Sequence, residues 1–239
     1  MNAHAQRGFT LLELVVVALI MGFMLAGVVK GQEMITSARV KRAAGQLDEI
    51  RAAYLGFQDR YKALPGDYRD AAKNIDCGSS ACLNGNGDGR IRSNETPVNG
   101  SQVHEDLLVW THLTYSGFLK GKYSMADGEL QANDANSPKN PYQIYLQIVF
   151  DGRYGLNDNS VPRHNLKIGC QMPVALMIEL DRKVDDNKPY KGGLLFSGYR
   201  GNSPDGPSEG GAGCTTAVDP GAEWNLASGN TNCGGATLF

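Results

Sequence analysis

The sequence predicts an α+β fold, in which a long N-terminal helix precedes a small head with an antiparallel sheet and long loops. Three observations predict it: an apolar run over residues 9–29, a helical pattern that continues to residue 62, and strand-like segments beyond residue 140. The length of 239 residues suits one large domain or two small ones. The composition, 41% hydrophobic and 20% charged, fits a globular protein with one membrane segment. A net charge of −2 argues against a nucleic-acid-binding surface, which is usually basic.

The apolar run over residues 9–29 is long enough to cross a membrane. A helix of this length spans roughly 30 Å, the thickness of the hydrocarbon core. Arg7, on its N-terminal side, favours a cytoplasmic start and an outward C-terminal head. A secretory signal peptide is the alternative, but its apolar region is shorter and ends at a small-x-small cleavage site. No good site of that kind follows here, because Lys30 and Gly31 lead straight into a helical pattern.

One carboxylate interrupts this apolar run. Between residues 9 and 29 only Thr10 and Glu13 are polar. An ionised carboxylate is costly in hydrocarbon, so an acid at this depth predicts a functional role and a cationic partner. A plain membrane anchor with an accidental glutamate is the alternative, and it leaves Glu13 unexplained.

The same residues resemble a known signal. The segment RGFTLLELVVVALIMG, residues 7–22, resembles the prepilin signal of type IV pilins and type II secretion pseudopilins. The resemblance implies that a membrane-embedded prepilin peptidase removes the leader, residues 1–8, by cutting after Gly8. Phe9 then becomes the first residue and is N-methylated. The resemblance also implies that Glu13 meets the N-terminal amine of a neighbouring subunit in a growing filament, where each buried charge relieves the other.

A second helical pattern follows the apolar run. Apolar residues recur at alternating steps of three and four, on one helix face: Val40, Ala43, Leu47, Ile50, Tyr54, Phe57 and Tyr61. Charged residues occupy the other faces, and no proline occurs before Pro65. We therefore expect one helix over residues 9–62, ended by the proline and turn glycine of ALPGD, residues 63–67. Two helices broken near Gly31 are the alternative.

The head, residues 63–239, is expected to mix helices and strands. Residues 70–102 look like loop, and residues 201–239 are glycine-rich without clear periodicity. The segments between them predict a helix over residues 103–115, strands over residues 142–150 and 192–199, and a helix over the ambiguous residues 173–184. The resemblance implies that this is a pilin-like fold. A head of this size favours a minor pilin over a bulk subunit.

The five cysteines all follow the apolar run, on the side of the membrane where disulfides form. Cys77 and Cys82 lie at the two ends of the short segment CGSSAC and are close enough in sequence to form a disulfide. A disulfide between Cys214 and Cys233 would hold the glycine-rich tail in place. Cys170 is left over, and the sequence does not fix the pairing. A zinc site is the alternative, but no C-x-x-C motif occurs and the histidines lack ligand spacing.

The segment NGNGDGRIRSNE, residues 84–95, can be aligned with a twelve-residue calcium loop. Its expected ligands, four side chains and one backbone carbonyl at the seventh position, are Asn84, Asn86, Asp88, Arg90 and Glu95. The match departs from the pattern because asparagine replaces aspartate at the first position and Arg92, at the ninth, cannot bind a cation. With two carboxylates we expect a weak calcium site. The alternative is an Asn/Gly-rich surface turn.

Other chemical motifs are scarce. No H-E-x-x-H motif or phosphate-binding glycine loop is present, and we do not expect an enzyme. The adjacent acids Asp185 and Asp186 are a lesser candidate for a cation site, and a solvated turn is the preferred interpretation of them.

Three function classes remain. We expect a structural subunit, a minor pilin or pseudopilin, of a type IV pilus or a type II secretion filament. Its partners would be prepilin peptidase, other subunits and the inner membrane, with the head in the periplasm and later in a pilus or periplasmic filament. A membrane-anchored, calcium-dependent adhesion module and an anchored periplasmic enzyme are the alternatives. Glu13 favours the filament subunit, since an anchor would tolerate leucine there.

Overall fold

The computed structural model describes residues 10–78, 82–93, 96–98, 101–156, 160–207, 211 and 213–239. The chain divides into two compact units, Met1–Arg39 and Val40–Phe239. The described part of the first unit is helical from residue 11 onward, and the second unit contains every strand of the described residues.

Helix α1, Leu11–Tyr61, confirms the expected long helix. Its backbone is helical through Gly31, so the alternative of two helices is wrong. Within the second unit its buried face contains the predicted residues except Tyr61, which is half-buried, together with one further alanine: Val40, Ala43, Leu47, Ile50, Ala53, Tyr54 and Phe57. The helix ends at Tyr61, because Lys62 adopts a positive φ of 52° and Pro65 follows.

The described part of the head contains three further helices and six strands. The helices are α2 (Ala71–Asn74), α3 (Glu105–Tyr115) and α4 (Val174–Val184). The strands are β1 (Thr96–Val98), β2 (Ser101–Val103), β3 (Gln147–Asp151), β4 (Arg163–Lys167), β5 (Leu194–Phe196) and β6 (Gly235–Leu238). A 3-10 turn, Leu226–Ser228, lies in the glycine-rich tail.

The main sheet has four antiparallel strands in the order β3-β4-β6-β5. Strand β3 pairs with β4, with Val149 opposite Asn165. Strand β6 lies between β4 and β5, so that Thr237 is opposite Leu166 on one side and Leu194 on the other. Strands β1 and β2 form a separate antiparallel pair. The α+β class with an antiparallel sheet is therefore confirmed.

Strand β4 was not expected, because its sequence RHNLK is polar. Two of its polar residues are nevertheless buried, and Asp151 of β3 satisfies both. The Asp151 Oδ1 atom accepts hydrogen bonds from Asn165 Nδ2 at 3.0 Å and from Lys167 Nζ at 2.9 Å. Strand β6, GATL, was also missed, since it is short and starts with glycine inside a segment without periodicity.

Two expected strands are shorter than their sequence patterns. Strand β3 begins at Gln147 rather than at residue 142, because the Asn140 side chain accepts the backbone N–H groups of Tyr142 and Ile144 and holds a turn there. Gln143 takes a positive φ of 66° in the same turn. The strand expected over residues 192–199 is reduced to β5.

The core of the second unit joins the buried face of α1 to the sheet. The Tyr54 ring stacks on Phe239, with ring centroids 4.2 Å apart. The Arg51 Nη2 atom donates to the carbonyl oxygen of Leu238 at 2.8 Å. The end of β6 is therefore fixed to the helix by both a ring contact and a hydrogen bond.

Candidate functional site

The N-terminal part of α1 presents apolar side chains to its surroundings. Residues 10–30 are exposed along their whole length. The most apolar window of 18 residues has a mean hydropathy of 2.6. In the described part of the chain, α1 is the one helix whose length and composition suit a membrane crossing. An apolar surface of this extent needs lipid or protein around it.

Thr10 caps the start of this helix. Its hydroxyl oxygen accepts the backbone N–H of Glu13 at 3.2 Å. The spacing Thr-x-x-Glu is the sequence signature of such a helix start. Glu13 lies in the first turn with an exposed side chain, where the helix dipole favours a negative charge. Gly8 and Phe9, the expected cleavage site, lie outside the described residues.

In the head, the loop of residues 84–92 folds around a buried carboxylate. Asp67 is 4% exposed. Its Oδ1 atom accepts the backbone N–H groups of Gly87 at 2.6 Å and Asp88 at 3.0 Å, and its Oδ2 atom accepts that of Gly89 at 2.9 Å. Gly87 and Gly89 have φ values of 75° and 81°, a region that favours glycine. These glycines let consecutive N–H groups point at one carboxylate.

A second buried carboxylate fixes the two ends of the same loop. Glu105, the first residue of α3, is 1% exposed. Its Oε1 atom accepts the backbone N–H of Asn86 at 3.0 Å, and Oε2 accepts that of Arg92 at 3.2 Å. Gly85 packs directly on the ALPGD turn, because a Cβ atom added there would lie 2.3 Å from backbone atoms of that turn. The loop is thus held against the end of α1 and the start of α3.

The His112 side chain connects the same ALPGD turn to Leu83, the residue directly before the loop. Its Nδ1 atom accepts the backbone N–H of Gly66 at 2.9 Å. Because Nδ1 is an acceptor, Nε2 carries the proton and donates to the carbonyl oxygen of Leu83, also at 2.9 Å. The ring is fully buried, so both of its polar atoms depend on these two partners.

Burial dominates the electrostatics of these groups. It raises the pKa of Asp67, and it raises the pKa of Glu105 to about 7. The backbone hydrogen bonds counteract both shifts, while the charge of Asp88 adds to them. Burial lowers the pKa of His112 to about 4, so its ring is neutral at pH 7.

Three carboxylates of this region form a group that could hold a cation. One oxygen each from Asp67, Asp88 and Glu105 lies within 4.8 Å of the others. Oxygen ligands of this kind suit a hard cation such as calcium. Asp88 is the single predicted ligand in the group. Its Oδ2 atom also lies 3.1 Å from Arg92 Nη2, an ion pair that would compete with a metal.

The other expected calcium ligands make backbone contacts. Asn84 Oδ1 accepts the backbone N–H of Ala72 at 2.8 Å, and Asn86 Oδ1 accepts that of Asp88 at 2.7 Å. Glu95 lies outside the described residues, so the linear ligand set, with the Arg90 carbonyl, stays a prediction. Sequence reasoning missed Asp67 and Glu105, because both lie outside the loop that they hold and no linear spacing connects them to it.

The structure contains both disulfides that cysteine spacing suggested. Cys77 is bonded to Cys82, and Cys214 to Cys233, which precedes strand β6. Cys170 is buried and carries a free thiol. Its Sγ atom lies 3.2 Å from the carbonyl oxygen of Arg200.

Comparison with known proteins identifies the N-terminal segment. Residues 3–29 match the family model of the prokaryotic N-terminal methylation motif. The chain carries a prepilin signal. This prepilin signal contains Gly8, Phe9 and Glu13 and coincides with the apolar start of α1. Together the signal and the apolar helix fit a membrane-anchored protein of the pilin or pseudopilin type. No curated protein and no solved structure gives a significant match to the chain.

Proposed function

We propose that this chain is a structural subunit, a minor pilin or pseudopilin, of a type IV pilus or a type II secretion filament. The observation that carries the proposal is the prepilin signal at residues 3–29, which leads directly into an exposed apolar helix. Such a helix is held by lipid before assembly and by the helices of neighbouring subunits afterwards. The sheet-containing head then decorates the filament.

Maturation in this proposal starts with prepilin peptidase. The enzyme cuts after Gly8, removes residues 1–8 and leaves Phe9 with a free amine, which is then methylated. The apolar helix stays in the inner membrane with the head in the periplasm. The two disulfides of the head support this orientation, since disulfides persist in oxidising compartments.

Glu13 supplies the assembly contact. Its carboxylate is exposed, and in the sequence it follows the new N-terminus by four positions. In a filament, the apolar helices around it exclude water, so an unpaired carboxylate there is costly. The N-terminal amine of a neighbouring subunit carries the opposite charge and compensates it. The pair therefore selects the axial position at which a new subunit enters.

The test compares Glu13→Leu with wild type in two fractions, membranes and sheared filaments. Leucine makes the run more apolar, so membrane insertion is kept. Filament incorporation should fall steeply, because removing one partner of a buried ion pair costs about 3–5 kcal/mol. The matched control is Glu33→Leu, which removes an exposed acid that pairs with Lys30 outside the signal. Equal filament incorporation of wild type and Glu13→Leu would contradict the assembly role.

Processing provides a separate test. N-terminal sequencing of mature material should begin at Phe9, and Gly8→Leu should retain the leader because a bulky side chain replaces the small residue at the cut bond. Material that keeps Met1 in assembled filaments would overturn the proposal.

A second candidate is a calcium-dependent binding role for the head. It is favoured by the group of Asp67, Asp88 and Glu105, in which two buried carboxyl groups and one exposed carboxylate lie close enough together to bind a divalent cation. Calcium should then raise the melting temperature of wild type, and Asp88→Asn should reduce that rise. Asp70→Asn, an exposed acid nearby, is the control and should leave the rise unchanged. A calcium response that survives in Asp88→Asn would exclude this loop as the site.

A further inference from the structure

We propose that the turn after helix α4 is a cation site, which binds calcium through Asp181, Asp185 and Asp186 with the Asn187 amide oxygen as a fourth ligand. The site lies in the head, more than a hundred residues after the prepilin signal, and it does not rest on the filament proposal. It also differs from the group at Asp67, since the two sets share no residue.

The first observation is a buried oxygen without a donor. Asp181 lies in the last turns of α4 and is 0% exposed. Its Oδ2 atom accepts the indole N–H of Trp224 at 2.6 Å. Its Oδ1 atom is buried and receives no hydrogen bond of ordinary geometry from the described residues, although the backbone N–H of Asn187 faces the carboxylate. Buried carboxylate oxygens are normally satisfied, so this one points to a missing partner.

The second observation is the position of two further carboxylates. One oxygen each from Asp181, Asp185 and Asp186 lies within 4.8 Å of the others. The Oδ2 atom of Asp185 accepts the backbone N–H groups of Gly193 and Leu194, and Oδ1 of Asp186 accepts that of Lys188. These bonds orient both side chains while engaging one oxygen of each. A carboxylate oxygen can bind a cation as well as accept such a hydrogen bond.

Asn187 adds a fourth oxygen to the same turn. It follows Asp186 with a positive φ of 63°, a conformation that asparagine tolerates better than most residues. Its Oδ1 atom is buried and has no hydrogen-bond partner among the described residues. A cation can bind oxygens that receive no hydrogen bond, whereas another hydrogen-bond acceptor cannot bind them.

The charge of the turn also favours a cation. Three carboxylates lie at the C-terminal end of α4, where the helix dipole is negative and opposes anions, and the last turn also carries the exposed cations Arg182 and Lys183. The nearby cation Lys188 is bound to Glu223, with Nζ 2.7 Å from Oε1. Burial raises the pKa of Asp181 to about 6, and the charges of Asp185 and Asp186 add to the shift.

The ligand chemistry selects calcium among hard cations. All proposed ligands are oxygens, which excludes metals that prefer thiolate or imidazole. The oxygens come from one short turn and one helix end. Calcium accepts irregular coordination with several carboxylates, whereas magnesium demands near-ideal octahedral geometry.

Trp224 makes the site observable. Its indole touches Asp181, so a terbium ion bound in the turn should emit when tryptophan is excited. The experiment uses the full chain in detergent, stripped of metal with a chelator, and titrates terbium alone and then calcium as the competitor. Wild type should give saturable emission that calcium abolishes. Asp186→Asn, a change at an exposed position, should weaken calcium competition about tenfold or more without altering the circular dichroism of the protein.

Two comparisons decide the outcome. Asp181→Asn keeps an acceptor for Trp224 and should lose the signal, while Asp88→Asn, in the other acidic group, should retain it. Wild-type emission that is unchanged in both Asp186→Asn and Asp181→Asn would overturn the proposal. The proposal would equally fall if emission were lost in Asp88→Asn alone, or if wild type bound no calcium at millimolar concentration.

Discussion

The Asp67 carboxylate accepts the backbone N–H of Gly87, twenty residues later in the chain, at 2.6 Å. The contact belongs to a set in which Asp67 and Glu105 together receive five backbone N–H groups from the loop of residues 86–92. The loop contributes few apolar side chains to the core. Hydrogen bonds to the two buried carboxyl groups, rather than apolar packing, therefore fix its shape.

The first prediction concerns Asp67. In Asp67→Asn, one oxygen becomes an NH₂ group that must face a backbone N–H, so at least one hydrogen bond is lost inside the protein. We expect a loss of about 1–3 kcal/mol in the free energy of unfolding, and new proteolytic cleavage within residues 82–93. Urea denaturation and limited proteolysis measure the two effects. Asp70→Asn, at an exposed position, is the control, and equal stability of the two variants would contradict the prediction.

The second prediction concerns Glu105 and the loss of folding stability as the pH rises. The pKa of this acid is raised from 4.5 to about 7 by burial, so the folded protein binds more protons than the unfolded one between these values. The contribution of Glu105 to stability is therefore full below pH 4.5 and is lost as the pH rises through about 7. Glu105→Gln, which cannot ionise, should flatten the curve of unfolding free energy against pH in that window. An unchanged slope would show that the carboxyl does not hold its proton.

The third prediction concerns His112, whose contribution to the free energy of unfolding changes with pH in the opposite direction. Burial lowers the pKa of this ring from 6.5 to about 4, so the unfolded protein binds the extra proton first. The contribution of His112 is present above pH 6.5 and is lost as the pH falls through about 4. A shift of this size corresponds to roughly 3 kcal/mol. Imidazole resonances followed by NMR should show one ring, absent in His112→Gln, that does not protonate above about pH 5. Protonation of that ring near pH 6.5 would contradict the geometry at Gly66.

The fourth prediction separates the two disulfides. The bond between Cys214 and Cys233 closes a loop with a sequence separation of 19, against 5 for Cys77 and Cys82. The chain-entropy model gives about 3 kcal/mol for the longer loop and roughly 2 kcal/mol for the shorter. The double Ser variant of the longer loop should also expose the tail to protease, because Cys233 lies two residues before β6. Cleavage of the tail at the same rate in both double variants would contradict this prediction.

Local patterns predicted the helices better than the sheet. The apolar face of α1 and the start of α4 after Pro173 follow from residues close in sequence, and both were found with boundaries shifted by one or two residues. Strand β4 escaped prediction because Lys167 and Asn165 are polar, and their burial depends on hydrogen bonds to partners that include Asp151 from another strand. Burial of a charged residue depends on a distant partner, which no periodicity shows.

The acidic sites show the same limit. The prepilin signal could be read directly, since its residues are contiguous in the sequence. The group at Asp67 could not, because Asp67, Asp88 and Glu105 come from three different segments of the chain. For Asp185 and Asp186 the spacing was visible, but the buried oxygen of Asp181 was not.

The position of β6 in the sheet sets an order of events during synthesis. Strand β6 is later in the sequence than β4 and β5, yet it is the strand that joins them. While the ribosome is still making the tail, β3 and β4 can form only a hairpin, and β5 has no neighbour in the main sheet. Unpaired strand edges of this kind attract other chains. A head that lacks residues 235–238 leaves β4 and β5 each with an open edge, so a stalled or clipped chain should aggregate rather than fold partway.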